Sequence, residues 1–302
     1  MTEEKRIDMT VRLHKLMLAL ILAILAPSAI ADLKEVRERG ELRHIGIRYA
    51  NFVTGAGDGF DVELVQGFAR HIGVKYSLVY SDFYSVVSDL LGKSVNRNGS
   101  EVELVGNLPI KGDMIASGFT VLPWRQQILL FSDATFPSQV LLVSRASSIY
   151  KPIKGSANLD NDIAETRRFI GKKSLLVMEK TCLDPANYDL KGKGYDLRPY
   201  TRSSNINEMV PTLLEGGVEF TLLDVPSAIL DLQKWAGRIK VLGPISHTQE
   251  LAAAFPKSSP QLRDAFNAYL RQIRKDGSYD ALVRKYYPGI QRYFPEFFSR
   301  GA

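Results

Sequence analysis

Short apolar runs alternate along the chain with stretches whose apolar residues recur at helical spacing, the pattern of α/β layers with mostly parallel sheets. Residues 42–49 predict a first strand, and 60–72 an amphipathic helix with Val62, Leu64, Val65, Phe68 and Ala69 on its apolar face. A strand at 75–79, a helix at 84–91 and a strand at 113–116 follow. Residues 93–112 interrupt this rhythm with a polar, glycine-containing insert in which 102–105 can pair locally as a hairpin; a surface excursion without a role is the default expectation. A strand at 139–144 leads into a Ser/Lys/Gly/Asn-rich stretch, 145–160, where composition changes as at a domain crossing. A second set of elements begins there, with strands at 174–178 and 219–223 and helices at 206–215 and 226–235. Residues 251–255 predict a strand returning to the first unit, and helices at 260–276 and 279–286 close the fold. The aromatic tail from Tyr286 to Phe298 is expected to strap onto the first unit rather than to receive a partner.

Lys5, Arg6, Arg12 and Lys15 precede an apolar run over 16–26 that Pro27 ends, and Ala29-Ile30-Ala31 supplies small residues for cleavage before Asp32. The pattern predicts a secretory signal peptide over 1–31, because the run is short for a membrane span. No cysteine follows it, which argues against a lipid anchor. The remaining 271 residues are enough for two domains with their own cores. Cys182 is the only cysteine, so no intrachain disulfide can form. The whole chain carries a net charge of +6, and removing the leader's four basic and three acidic residues leaves 35 against 30, or +5. Without an aromatic-interleaved basic patch, that balance points to modest steering of anionic ligands and away from nucleic acid. The histidines His14, His44, His71 and His247 show no metal-ligand spacing, and neither a metal nor a cofactor is expected.

The segment from Asp113 to Asp133 carries the most specific chemistry. It places Ser117, Gly118, Thr120 and Arg125 on a loop between two apolar strands. A guanidinium is a rigid fork of donors that matches a carboxylate, and nearby hydroxyl and backbone N–H groups can complete the grip. The alternative is a surface loop with a solvated arginine.

Several separated segments resemble, in order and spacing, the bacterial extracellular solute-binding proteins of family 3, the periplasmic receptors of amino-acid ABC importers. Gly59-Phe60-Asp61-Val62-Glu63-Leu64 is similar to the family's opening helix signature, and Ser81-Asp82-Phe83 to the segment entering its second helix. The loop from Ser117 to Arg125 with Phe131-Ser132-Asp133 follows its pattern, as do residues 251–257, Asp276-Gly277-Ser278-Tyr279 and Lys285-Tyr286-Tyr287. The resemblance implies a two-lobed type 2 periplasmic-binding-protein fold, α/β, with a ligand cleft between lobes joined by two crossing strands. The first lobe is expected over 32–144 plus 247–302 and the second over 145–246. Carried over, Arg125 grips a ligand carboxylate with Thr120 and the Ser117/Gly118 backbone, and Tyr49 and Phe83 sandwich the ligand's side chain. Asp224 takes an α-ammonium, and Thr181 lies in the second-lobe turn that meets the carboxylate. Each role has a structural competitor: Tyr49 and Phe83 as core aromatics, Asp224 as the N-cap before Val225-Pro226, and Asp61 and Glu63 as supports of a helix start.

The departures bear on the ligand. Met178-Glu179-Lys180-Thr181-Cys182 puts Lys180 where the family usually has glycine, and Gly46-Ile47-Arg48-Tyr49 lacks the usual acid. With Lys180 and Arg48 facing the cleft, the site suits a solute more negative than a zwitterion. Lys180 and a helix start would also lower the Cys182 pKa. The resemblance implies a monomeric receptor that closes on a small carboxylate-bearing solute and docks on an inner-membrane ABC permease, without catalysis. Two rivals share the scaffold. One is a periplasmic enzyme resembling cyclohexadienyl dehydratases, with Glu179 or Asp224 as general acid. The other is a stand-alone peptide-binding relative of the solute-binding-like domain of membrane-bound lytic transglycosylases, since the chain ends at Ala302 without room for their catalytic domain.

Overall fold

The computed structural model describes residues 31–98 and 101–299. The expected signal peptide therefore lies outside the described residues except for Ala31. Asp32 caps helix α1 (Leu33–Arg39) through a reciprocal box with Glu35, and also accepts from Leu262 N–H at 2.7 Å, which ties the first described turn to the closing helices. The chain continues through β1 (Glu41–Ile47), α2 (Phe60–His71), β2 (Lys75–Ser81) and α3 (Val86–Leu91). Helix α2 forms because Phe60, Leu64, Val65 and Phe68 fall on one stripe; all are buried, each contributing about 1.5–3 kcal/mol. Gly59 stands before it at φ 138°, where a Cβ would lie 2.2 Å from the Phe52 carbonyl oxygen.

The insert is an isolated antiparallel hairpin, β3 (Ser94–Asn98) with β4 (Glu101–Val105), longer than the local pairing expected. It is no free excursion, because β3 packs on α3 and β4 on a later helix, α4 (Pro123–Ile128), reached through β5 (Met114–Ile115). Arg125 thus sits on a short helix with Pro123 at its start, not on an open loop. Next come β6 (Leu129–Phe131) and β7 (Phe136–Ser138).

The second unit comprises β8 (Val140–Arg145), α5 (Leu159–Ile170), β9 (Ser174–Val177), β10 (Asp196–Pro199), α6 (Met209–Glu215), β11 (Phe220–Asp224), α7 (Val225–Lys234) and β12 (Ile239–Pro244). β13 (Gln249–Leu251) crosses back to β14 (Ala254–Pro256), and α8 (Pro260–Lys275), α9 (Ser278–Tyr286) and α10 (Pro295–Ser299) follow. Two five-stranded sheets result, ordered β2-β1-β5-β14-β6 and β10-β9-β11-β8-β12. Both are mixed: β14 runs antiparallel to β5 and β6, and β8 antiparallel to β11 and β12. The expected lobe boundary falls at residue 144. It would leave β8 in the first lobe, yet β8 lies between β11 and β12 in the second sheet, so the crossing precedes it. That crossing is the two-stranded ribbon in which Gln249 faces Ser138 and Leu251 faces Phe136.

Phe136 anchors the ribbon in the first core, with Phe52, Phe60 and Tyr287 rings 5.3, 5.5 and 4.7 Å from its own. Tyr287 is buried and Phe298 packs on Phe136 and Tyr279, so the aromatic tail straps the first lobe as expected. No helix among the described residues is long and apolar enough to cross a membrane.

Candidate functional site

The segment from Ser117 to Leu122 is pinned to the crossing ribbon. Thr120 bridges Leu251, Val121 N–H donates to the Glu250 carbonyl at 2.9 Å, and Ala252 N–H donates to the Phe119 carbonyl at 3.0 Å. Asp61, buried in the first turn of α2, accepts from Gly118 N–H at 2.6 Å. It ties the loop to the start of α2. Burial pushes the Asp61 carboxyl up to about 7, against the pull of the Gly118 bond. Gly118 has φ +59°, and a Cβ there would lie 2.4 Å from the Phe52 ring.

Arg125 rises from α4 into this frame and is 2 % exposed. One guanidinium nitrogen donates to the Thr120 carbonyl at 2.8 Å, and the group lies 3.8 Å from the centre of the Phe119 ring. Nε has no hydrogen-bond partner, and no carboxylate pairs with Arg125 among the described residues. Burial lowers its pKa to about 10, which leaves it charged at neutral pH. A buried cation held by one carbonyl and the faces of Phe119 and Trp124 is a costly arrangement that an anion would relieve. The solvated-arginine alternative is excluded by this burial.

Across the cleft, the second-lobe turn stands on its own hydrogen bonds. The Thr181 hydroxyl donates to the Met178 carbonyl at 2.8 Å and accepts from Leu183 N–H at 3.0 Å, so it is committed within the turn. Asp184 accepts from Lys180 N–H and Ala186 N–H, both at 2.9 Å, capping the short 3-10 turn Pro185–Tyr188. Lys180 takes φ +61°, which explains why glycine suits this position. Cys182 points its buried sulfur at the first lobe, within reach of the Thr120 hydroxyl and the field of Arg125. Burial nevertheless pushes the thiol up to about 11, so the expected activation of Cys182 is not found.

Tyr49 and Asp224 meet directly, the phenol donating to the carboxylate from the opposite lobe. Asp224 also caps α7, accepting from Ser227 N–H at 3.3 Å, and burial raises its carboxyl to about 6. Phe83 packs edge-on to Tyr49 with ring centres 5.6 Å apart. The two rings touch each other edge to face, and of the pair only Phe83 lines the cavity described below. Arg48 is exposed and lies 4.6 Å from the centre of the Tyr80 ring, so it does not supply a cleft cation.

A cavity of about 450 Å³ opens beside these contacts, within the range of small-molecule sites. Its first-lobe wall is Phe83, Tyr84, Val87, Trp124 and Arg125, joined by Val95 and Arg97 of the hairpin; Glu179, Lys180, Asp184 and Lys191 face them from the second lobe. Of the expected site residues, Phe83, Arg125 and Lys180 line it, whereas Tyr49, Ser117, Gly118, Thr120, Thr181 and Asp224 are buried and do not. Trp124 is a site residue that the motif around Arg125 contains without marking it out. Arg97 is hidden in the insert, and only its alternation with Val95 in a locally paired strand could suggest it. A larger hollow of about 780 Å³, between α5 and residues 245–249, contains none of the expected residues. No cluster of side chains that could hold a metal occurs among the described residues.

Two mixed sheets joined by a crossing ribbon, with a buried arginine at the seam, define a two-lobed α/β fold. The sequence model for bacterial extracellular solute-binding proteins, family 3, matches residues 110–289, and the chain belongs to that family. It is 25% identical over 236 residues to the lysine/arginine/ornithine-binding periplasmic protein of Escherichia coli (strain K12), covering 76% of this chain and 78% of that one. It is 23% identical over 236 residues to a membrane-bound lytic murein transglycosylase F of Desulfosudis oleivorans, covering 78% of this chain but 45% of the transglycosylase. Among solved structures, a mutant of ArgBP from T. maritima superposes with a TM-score of 0.66 at 22% identity, covering 84% of this chain and 98% of its own.

Proposed function

We propose that this protein is a periplasmic receptor that closes its two lobes on a small solute bearing a carboxylate and delivers it to an ABC permease in the inner membrane. One observation carries this function: the buried Arg125 guanidinium, set at the seam between the lobes with its Nε unpartnered. A carboxylate arriving there gains a charge-assisted pair in a dry site. Thr120, the Ser117/Gly118 backbone and Asp224 are buried away from the cavity in this form, so their assigned roles, towards the carboxylate and an ammonium, require the Tyr49–Asp224 contact to open first. The Arg125 loop is bonded to the crossing strand β13, so ligand contact and hinge angle share one segment, and a solute that touches both lobes favours the closed form. Binding proteins among the relatives support this role. The dehydratase alternative asks for a free general acid, whereas Glu179 pairs with Lys191 at 2.7 Å and Asp224 is shared between Tyr49 and its helix cap. No covalent step is required.

The test is a thermal-shift screen of the chain from Asp32 onward against amino acids, dicarboxylates and cell-wall peptides, repeated with Arg125→Ala. The expected result is a stabilising solute whose effect disappears in the variant, because ligands of the native state raise apparent stability. Loss of one partner of a buried charge pair costs about 2–5 kcal/mol, a weakening of roughly 30- to several-thousand-fold. If no carboxylate stabilises the protein, or if Arg125→Ala binds as tightly, the receptor function fails.

A further inference from the structure

The hollow of about 780 Å³ lies outside the cleft, between helix α5 and the segment 245–249 that carries the chain back to the first lobe. Its size is that of a small-molecule site. Two of its wall residues, Asn187 and Tyr188, reach the turn that faces Arg125: the Asn187 amide donates to the Thr181 carbonyl at 3.1 Å, and the buried Tyr188 hydroxyl donates to the Cys182 carbonyl. Gln249, on β13, donates to the same hydroxyl at 3.3 Å. Arg167 of α5 completes the set, one guanidinium nitrogen donating to the Tyr188 carbonyl at 2.9 Å and to the Ile245 carbonyl at 3.3 Å. One run of bonds thus joins the hollow, the crossing strand and the turn at the cleft.

The charges in this hollow leave cations unmatched. Its two carboxylates have partners, Asp160 facing the His247 ring at 2.9 Å and Asp189 facing Lys193 at 3.4 Å. Arg167 meets only carbonyl oxygens, and its Nε is buried without a partner. Arg168 is exposed and has neither a hydrogen bond nor an ion pair among the described residues. The adjoining wall is apolar, from buried Ile163 and Ile245, and Ala164, one helical turn before Arg168, adds only a small side chain.

We infer that this hollow is an effector site: a small molecule with an oxyanion and an apolar body sets its anion against Arg167 and Arg168, bridges α5 to the crossing segment, and stabilises the form in which the lobes are together. The oxyanion is a carboxylate or a phosphate, since a guanidinium matches either. The hollow has this shape with the lobes clasped by Tyr49 and Asp224, and one of its walls is the segment across which they would hinge. An occupant that fits it therefore binds one hinge state better than the other, which is what shifts a conformational equilibrium. The inference rests on the hinge closure proposed above but on nothing about the solute in the cleft.

Cys182 offers a readout of the hinge state. It is the only cysteine of the chain and is buried, at 4 % exposure, against the first lobe, so a thiol reagent reaches it when the lobes part. The experiment follows labelling of the purified protein by an aromatic disulfide reagent, without and with phenyl phosphate or benzoate, alongside isothermal titration of each probe. At saturating probe, labelling should slow about threefold or more, and the tighter of the two titrations identifies phosphate or carboxylate as the anion. Arg168→Glu should weaken the titration about tenfold, and Ala164→Phe should fill the hollow and abolish both effects, whereas Arg125→Ala should keep them. Titration without slower labelling, binding lost in Arg125→Ala but kept in Arg168→Glu, or no binding by either probe overturns the effector site. None of these outcomes removes the receptor function, which stands or falls on the solute screen.

Discussion

Tyr49, just beyond the end of β1 in one lobe, donates its hydroxyl to the carboxylate of Asp224, the cap of helix α7 in the other. The two residues expected to contact opposite parts of a ligand therefore contact each other. Both are buried, at 1 % and 2 % exposure, so the bond is a lobe-to-lobe clasp shielded from water. A solute that brings an ammonium to Asp224 has to share or displace the Tyr49 hydroxyl. The clasp thus favours the arrangement in which the lobes are together, and under the proposed function a solute without an ammonium leaves it intact in the closed form.

Tyr49→Phe keeps the ring packed on Phe52 and Phe83 and removes only the clasp. A buried hydrogen bond to a charged group contributes about 1.5–3 kcal/mol, so the unliganded variant should melt lower and scatter as a more open particle. An amino acid that binds Asp224 should recover most of that loss, whereas a dicarboxylate should not. Thermal melts with and without each solute, with small-angle scattering of the free forms, check this; an unchanged radius of gyration would remove the clasp.

The geometry of Gly118 gives a second expectation. Its φ is +59°, and a Cβ at this position would come within 2.4 Å of the Phe52 ring, which leaves no room for a side chain. Gly118→Ala combines left-handed strain with overpacking against Phe52 and Tyr49, and should cost about 2–4 kcal/mol in urea unfolding. It should also disturb the Asp61 bond that holds the loop, weakening any carboxylate ligand by more than the fold loses. A variant that unfolds like the native protein would show that the loop relaxes freely.

Much of the architecture is legible in the sequence because burial follows period. The helices α2 and α8 and the strands β1, β2 and β11 lie close to where apolar spacing places them. Helix α5 escapes because Asp160, Asn161, Asp162, Glu165, Arg167 and Arg168 mask the few residues it buries, Ile163, Thr166 and Ile170 among them. The sheet membership of β8 is invisible for a different reason: a short apolar run, Val140 to Val143, is the same pattern in either lobe, and its neighbours come from residues 220–244. At the site, Arg125, Thr120, Gly118 and Asp224 are legible through a contiguous motif and a cap position. Arg97 is not, since its place beside the cavity comes from contacts with Asn187 and Trp124 that only the folded hairpin creates.

A last prediction concerns pH. Asp61 is fully buried, and its carboxyl is raised from 3.8 to about 7, mainly by loss of hydration. The native state then holds a proton that the unfolded chain releases near pH 4, so the contribution of Asp61 is complete below about pH 4 and is lost as pH rises toward 7. Asp61→Asn keeps an oxygen for the Gly118 N–H and removes the titration. The difference in stability between variant and native protein should be small at pH 4 and grow to at most about 4 kcal/mol in favour of asparagine by pH 8. His44 titrates with the opposite sign, its pKa lowered to about 4 by burial, but it is common to both proteins and cancels in the difference. Unfolding in urea at a series of pH values from 4 to 8 measures that difference directly. A constant gap across the series would mean that Asp61 is already ionised in the folded protein, with its charge carried by the loop N–H groups.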